Sequence, residues 1–161
     1  MKTNFKLFLI TVITAITFAG AGFSQITSTV PATTRQIALS QYQLANPLDM
    51  VAYPAKYLNR FVTVRGRFDK FSTLGLDYTP AKRSSEDYIS FLIQRDDIKD
   101  HNIPLSEMKI FLKRAEAEKH IDLNSGDEIE FSGKVFSNAL GDVWMDADKF
   151  TVIEKKEQPK K

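Results

Sequence analysis

The sequence predicts a mainly β domain: a five-stranded Greek-key barrel with one helix between strands three and four and a short helical segment at its N-terminal side. Three observations predict it. Five stretches alternate apolar and polar residues with period two, as half-buried strands do. A run of good helix formers, Arg114–Leu123, falls between the third and fourth of them. Two of the strands carry a glycine within the alternation, Gly66 and Gly133, where a small barrel needs its backbone to bend.

The first two dozen residues stand apart. Lys2 and Lys6 precede an apolar stretch, Leu7–Gly22, that is short and rich in threonine, and small residues follow it. This is the pattern of a secretory signal peptide over 1–24, cleaved before Gln25 or, alternatively, after Ala21. It predicts a periplasmic or secreted protein, with no membrane span left after cleavage. The chain has 22 Lys and Arg against 20 Asp and Glu. Only Lys2 and Lys6 belong to the leader, so the mature chain is expected to be neutral. A neutral chain offers little general attraction to a polyanion, which weighs against nucleic acid as a partner. There is no cysteine, so no disulfide supports the fold and the apolar core must carry it.

Residues 25–58 read as a flexible lead-in and a short helical segment. Gln25–Arg35 is rich in Thr and Ser. Gln36–Ala45 has weak helical periodicity, ended by Pro47. Pro47–Leu58 reads as a short helix or turn packing Met50, Tyr53 and Tyr57 against the base of a barrel over 59–154. The first strand, Arg60–Phe71, places Val62, Val64, Gly66 and Phe68 inward and Thr63, Arg65, Arg67 and Asp69 outward. A long loop follows at Ser72–Ser85, and loops of that length in a compact domain are often functional. The second strand, Asp87–Gln94, turns Ile89, Phe91 and Ile93 inward and Tyr88, Ser90, Leu92 and Gln94 outward. The third, Met108–Lys113, turns Met108, Ile110 and Leu112 inward and Lys109, Phe111 and Lys113 outward.

The helix at Arg114–Leu123 has Ala117, His120 and Ile121 for its buried stripe and stops at Asn124-Ser125-Gly126. The fourth strand, Glu128–Phe136, buries Ile129, Phe131, Gly133 and Val135. In the fifth, Val143–Ile153, the parity of Val143, Met145 and Ala147 breaks before Phe150 and Val152. Either a bulge near Asp148–Lys149 reconciles them, or Trp144 itself faces the core. Residues 155–161 form a charged tail.

The stretches RFVTVRGRFDKF, MKIFLKRAEAEKHIDLNSGDEIEFSGKVFSN and DVWMDADKFTVI resemble OB-fold domains similar to tRNA-anticodon-binding modules, over about Arg60–Ile153. The leader is similar to those of exported bacterial OB-fold proteins. The resemblance implies a ligand face on the outer side of the second and third strands, bordered by the long loops. Here that face would carry Tyr88, Lys109, Phe111 and Lys113. Arg65 and Arg67 would extend it, Tyr78, Lys82 and Arg83 would sit on the first long loop, and Trp144 would border the far side. Aromatics interleaved with Lys and Arg suit single-stranded nucleic acid, by stacking and phosphate contact, and suit a protein or polysaccharide equally. An ordinary solvated strand face is the simpler account of the basic residues.

No catalytic set emerges. The chain has no G-x-S-x-G turn and no glycine-rich phosphate loop. Glu116 and Glu118 are two apart on a helix and do not share a face. His101 near Asp96, Asp97 and Asp100 reads as a solvated loop. Asp142, Asp146 and Asp148 lack the glycine of a calcium loop. The reading is therefore an exported, non-enzymatic binding module without cofactor or metal, for a protein partner or envelope component, with single-stranded nucleic acid as the alternative.

Overall fold

The computed structural model describes residues 41–79, 81 and 83–157. The leader, most of the lead-in and the end of the tail lie outside them. In chain order the elements are β1 (Gln43–Ala45), α1 (Pro47–Ala52), α2 (Pro54–Tyr57), β2 (Phe61–Ser72), β3 (Tyr88–Ile93), β4 (Met108–Lys113), α3 (Arg114–Ala117, continued by a 3-10 turn to His120), β5 (Glu128–Ser137) and β6 (Val143–Glu154).

β2 is the strand on which the barrel closes. Its first half, Phe61–Arg67, pairs antiparallel with β5, and its second half, from Phe68, pairs antiparallel with β3. β3 pairs with β4, β4 runs parallel to β6, and β6 pairs antiparallel with β5. Five strands thus close in the order β2-β3-β4-β6-β5, with α3 between the third and fourth. This is the OB-fold topology.

The expected strands are found, and so is the parity break. Ser132 pairs with Lys149 and Gly133 with Ala147, leaving Asp148 as the extra residue of a bulge. The bulge lets Val143, Met145, Ala147 and Phe150 all reach the main core. Gly133 lies at this bulge, and a Cβ built on it would sit 1.8 Å from the Asp146 carbonyl oxygen. Gly66 lies just before the point where β2 passes from β5 to β3. It pairs regularly with Ile129, and the register slips at Asp69, where β2 has already moved onto β3. Within the core, Phe91 meets Phe131 and Phe150 edge to face at 5.1 and 5.3 Å. That geometry is the preferred one for aromatic pairs.

The segment leading into the barrel differs from the reading in two places. Gln43–Ala45 is a strand running parallel to β2 at Val62–Val64, not the end of a helix. β3 reaches only the second half of β2, so the first half has an open edge of N–H and C=O groups, and β1 satisfies it. Asn46 then caps α1, its side chain accepting from the Leu48 amide at 2.8 Å, with Pro47 at the first helical position. Met50 and Tyr57 are buried in the main core, but Tyr53 is 65% exposed and does not pack against it.

α3 is shorter than the sequence suggests. Its last turn tightens to 3-10, which moves each following residue around the axis. Ala117 is buried and the His120 ring lies 4.9 Å from Phe150, while Ile121 turns out to solvent. Asp127, fully buried, ties the following turn together. Its carboxylate accepts from the Asn124 amide and, beyond β6, from the Lys156 amide, both at 2.9 Å. Among the described residues no helix is long and apolar enough to cross a membrane.

Candidate functional site

Cross-strand pairing assembles the outer face of β3, β4 and β6. Ser90 is opposite Phe111, Lys109 opposite Trp144, and Phe111 opposite Asp146. Alternation therefore puts Tyr88, Ser90, Lys109, Phe111, Lys113, Trp144 and Asp146 on one surface. This surface is not open. Phe111 is fully buried, Trp144 is 2% exposed, and Ser90 and Gln94 are buried as well.

The cover is the β2–β3 loop. Gly75 (φ 82°) brings its backbone onto the rings, so that a Cβ there would lie 3.1 Å from Trp144 Cζ3 and 3.2 Å from Phe111 Cζ. Tyr78 stacks on Trp144, with centroids 5.3 Å apart and planes at 23°. Ala81 is buried with Phe111 and Trp144 in a second small core, packed by Leu76, Tyr88, Phe136 and Ala139. Beneath the loop, Phe111 lies 6.1 Å from both Trp144 and Phe136. The indole N–H of Trp144 donates to the Ala139 carbonyl at 2.8 Å. Trp144 thus sits under the β2–β3 loop and against the β5–β6 turn together, a core residue of the outer face rather than of the barrel interior.

Two basic groups of this face, Arg83 and Lys109, are neutralised by carboxylates, while Lys113 at its rim is exposed. Arg83 donates to both carboxylate oxygens of Asp146, from Nε at 2.7 Å and from Nη2. Its guanidinium lies over Phe136 at 4.5 Å and Tyr88 at 5.7 Å. The hydrogen bonds to Asp146 raise its pKa above the ordinary arginine value. Lys109, its side chain 12% exposed, donates to Asp142 at 2.8 Å and to the Ser106 carbonyl. One polar group is left over: the buried Ser90 hydroxyl, on the same face as Phe111, has no hydrogen-bond partner among the described residues.

Of the residues singled out from the sequence, Tyr78, Tyr88, Lys109, Phe111 and Trp144 converge here. Phe111 and Trp144 are not exposed contact residues as the loop lies, because Gly75 and Tyr78 cover them. Lys113 is exposed at the rim beside Tyr88, at a cavity of about 320 Å³ that Glu116, Asp146 and Asp148 also line. Arg65 and Arg67 are held elsewhere. Arg65 donates to Glu130 on β5 at 2.7 Å, and Arg67 pairs with Asp96 of the β3–β4 loop at 3.1 Å. Arg83, on the same long loop as Tyr78, joins them, and Phe136, Asp142 and Asp146 are the members the sequence-based set lacks. Lys82 lies outside the described residues. A signal for them was present: Phe111, Phe136 and Trp144 all fall on outward parity, and three outward aromatics in neighbouring strands need a cover.

No protein-family model matches the chain. No curated protein matches it either. Among solved structures, it is similar to one described as an aspartyl-tRNA synthetase from Leishmania major Friedlin, at 8% identity and TM-score 0.46. That match covers 84% of this chain and 23% of the synthetase. An OBody bound to hen egg-white lysozyme matches at 11% identity and TM-score 0.42, over 63% of this chain and 85% of the other. A mitochondrial single-stranded DNA-binding protein from S. cerevisiae matches at 8% and 0.40, over 61% and 98%. These likenesses are weak.

Proposed function

We propose that this chain is an exported, non-enzymatic OB-fold module that binds a protein partner or envelope component. One observation carries the choice of partner. The rings that would stack on bases are sealed beneath the chain's own loop, and the two cations against them, Arg83 and Lys109, are held by carboxylates. Single-stranded nucleic acid needs the opposite, accessible rings with free cations along a groove. The expected neutrality of the mature chain points the same way, and the signal-like leader supports an address outside the cytoplasm.

The test is a pair of binding measurements on the full mature chain. Fluorescent oligothymidylate at low salt is expected to show no saturable binding. The immobilised protein is expected to retain a discrete protein from an envelope fraction. An affinity for oligothymidylate that falls steeply with salt would overturn the reading in favour of nucleic acid.

A further inference from the structure

We infer that the β2–β3 loop is a built-in stand-in for the partner: it occupies a latent docking face on β4 and β6, and the partner displaces it with an extended segment carrying an aromatic and a basic residue. This deepens the protein-binding reading and rests on it.

The loop is attached in a way that lets it lift as one piece. Its backbone hydrogen bonds close on itself: Leu76 N–H to the Thr73 carbonyl, Ala81 N–H to Tyr78, and Asp77 N–H to Arg83. Asp77, at φ 58°, also accepts from the Ser85 amide through its side chain. Among the described residues, no backbone hydrogen bond from 73–83 reaches β4 or β6. Among the described residues, what holds it down is packing and one ion pair, with Gly75 against Trp144 and Phe111, Tyr78 on Trp144, Leu76 and Ala81 in the small core and Arg83 on Asp146. A unit bonded within itself and attached by a few side chains opens locally at lower cost than the sheet beneath it. The buried, unpartnered Ser90 hydroxyl lies on the covered face and would gain water once the loop lifts.

The uncovered face defines what it takes. Lifting the loop bares the Trp144 ring and the Phe111 and Phe136 rings behind it. It also carries Arg83 away, which leaves the Asp146 carboxylate without its guanidinium. Lys109 stays neutralised by Asp142. The result is an aromatic platform beside a bare carboxylate. With Lys113 at its rim as the one exposed cation among the described residues of this face, it accepts a flat ring together with a Lys or Arg set on Asp146. Tyr78 and Arg83 supply that pair from within the chain, so the loop is itself a copy of the ligand it excludes.

The chain has a single tryptophan, so emission from Trp144 reads the face directly. In the full mature chain, Tyr78→Ala/Arg83→Ala is expected to raise acrylamide quenching of Trp144 several-fold with the far-ultraviolet circular dichroism unchanged. Arg83→Gln is the milder second variant and should raise it less. A synthetic peptide of residues 73–86 is the probe. It is expected to bind the double variant saturably, to bind the wild type at least tenfold more weakly, and to lose binding when its own tyrosine and arginine are replaced by Ala and Glu. Quenching unchanged in both variants would show that the loop is not a lid and overturn the inference. So would an opened face that binds oligothymidylate and not the peptide. If the peptide fails while the wild-type chain still retains its envelope protein, the inference falls and the protein-binding reading stands on another surface. If no envelope protein is retained at all, the reading beneath it falls too.

Discussion

Gly133 sits so close to Asp146 that β5 and β6 touch backbone to backbone: a Cβ on Gly133 would lie 1.8 Å from the Asp146 carbonyl oxygen. The obstructing atom is main chain at a bulge, so no rotamer change relieves the clash. Gly133→Ala is expected to cost about 3 kcal/mol or more, the upper range for overpacking. Gly66→Ala meets only the Ile93 side chain, nearest at Cδ1 at 3.2 Å, and is expected to cost about 1 kcal/mol, the lower end for overpacking. Urea unfolding of the two variants side by side checks the contrast.

Asp127→Ala removes the acceptor of two main-chain N–H groups, those of Asn124 and Lys156. Leaving them without a partner beside a buried site is expected to cost about 3 kcal/mol. Hydrogen exchange adds a local reading: the Lys156 amide should lose its protection before the β6 amides do. Equal loss across β6 would mean the tie is not local.

Met50 comes from the segment that precedes the barrel yet is fully buried in its core, whereas Tyr53, in the same segment, is 65% exposed. Met50→Ala is expected to cost about 3 kcal/mol. Tyr53→Ala should stay within about 0.5 kcal/mol of wild type. Thermal unfolding of both tells whether α1 belongs to the cooperative unit.

The pH profile follows from four carboxylates at the surface, three exposed and one, Glu116, half-exposed. Hydrogen bonds from Ser85, Arg95, Lys119 and Lys155 hold Asp77, Asp97, Glu116 and Asp122 below their ordinary values. Their folded pKa values lie below the unfolded ones, near 4. Their contribution is therefore present above about pH 4 and is lost as the pH falls through the folded values. Exposure keeps it small. Tyr42 behaves oppositely. Burial first, then the bond to Asp148, raises its pKa, so its tie to β6 is present below about pH 10 and lost above that. Denaturant midpoints measured between pH 3 and 11 should fall at both ends of the range.

Strand identity was legible because a half-buried strand writes its two faces into alternate residues, as in Val62, Val64 and Phe68 or in Met108, Ile110 and Leu112. The Asp148 bulge was legible for the same reason, since the parity of β6 fails there. Three features were not legible. β1 forms because β2 needs an edge partner, a demand that does not show in Gln43–Ala45 itself. Ile121 turns outward because a helix tightened by one turn, which periodicity does not record. The burial of Phe111 depends on a loop whose path is set by Gly75 and by the Arg83 to Asp146 pair, contacts made across the fold rather than along the chain.

The double commitment of β2 sets a timetable. Its second half can pair with β3 soon after synthesis, but its first half waits for β5, the last strand but one. Until then that half has only the three residues of β1 beside it, and the aromatic core around Phe91 lacks Phe131 and Phe150. A chain made or threaded from its N-terminus therefore stays open until nearly all of it is available. Closure is a late, long-range step of the kind that makes β-barrels fold slowly.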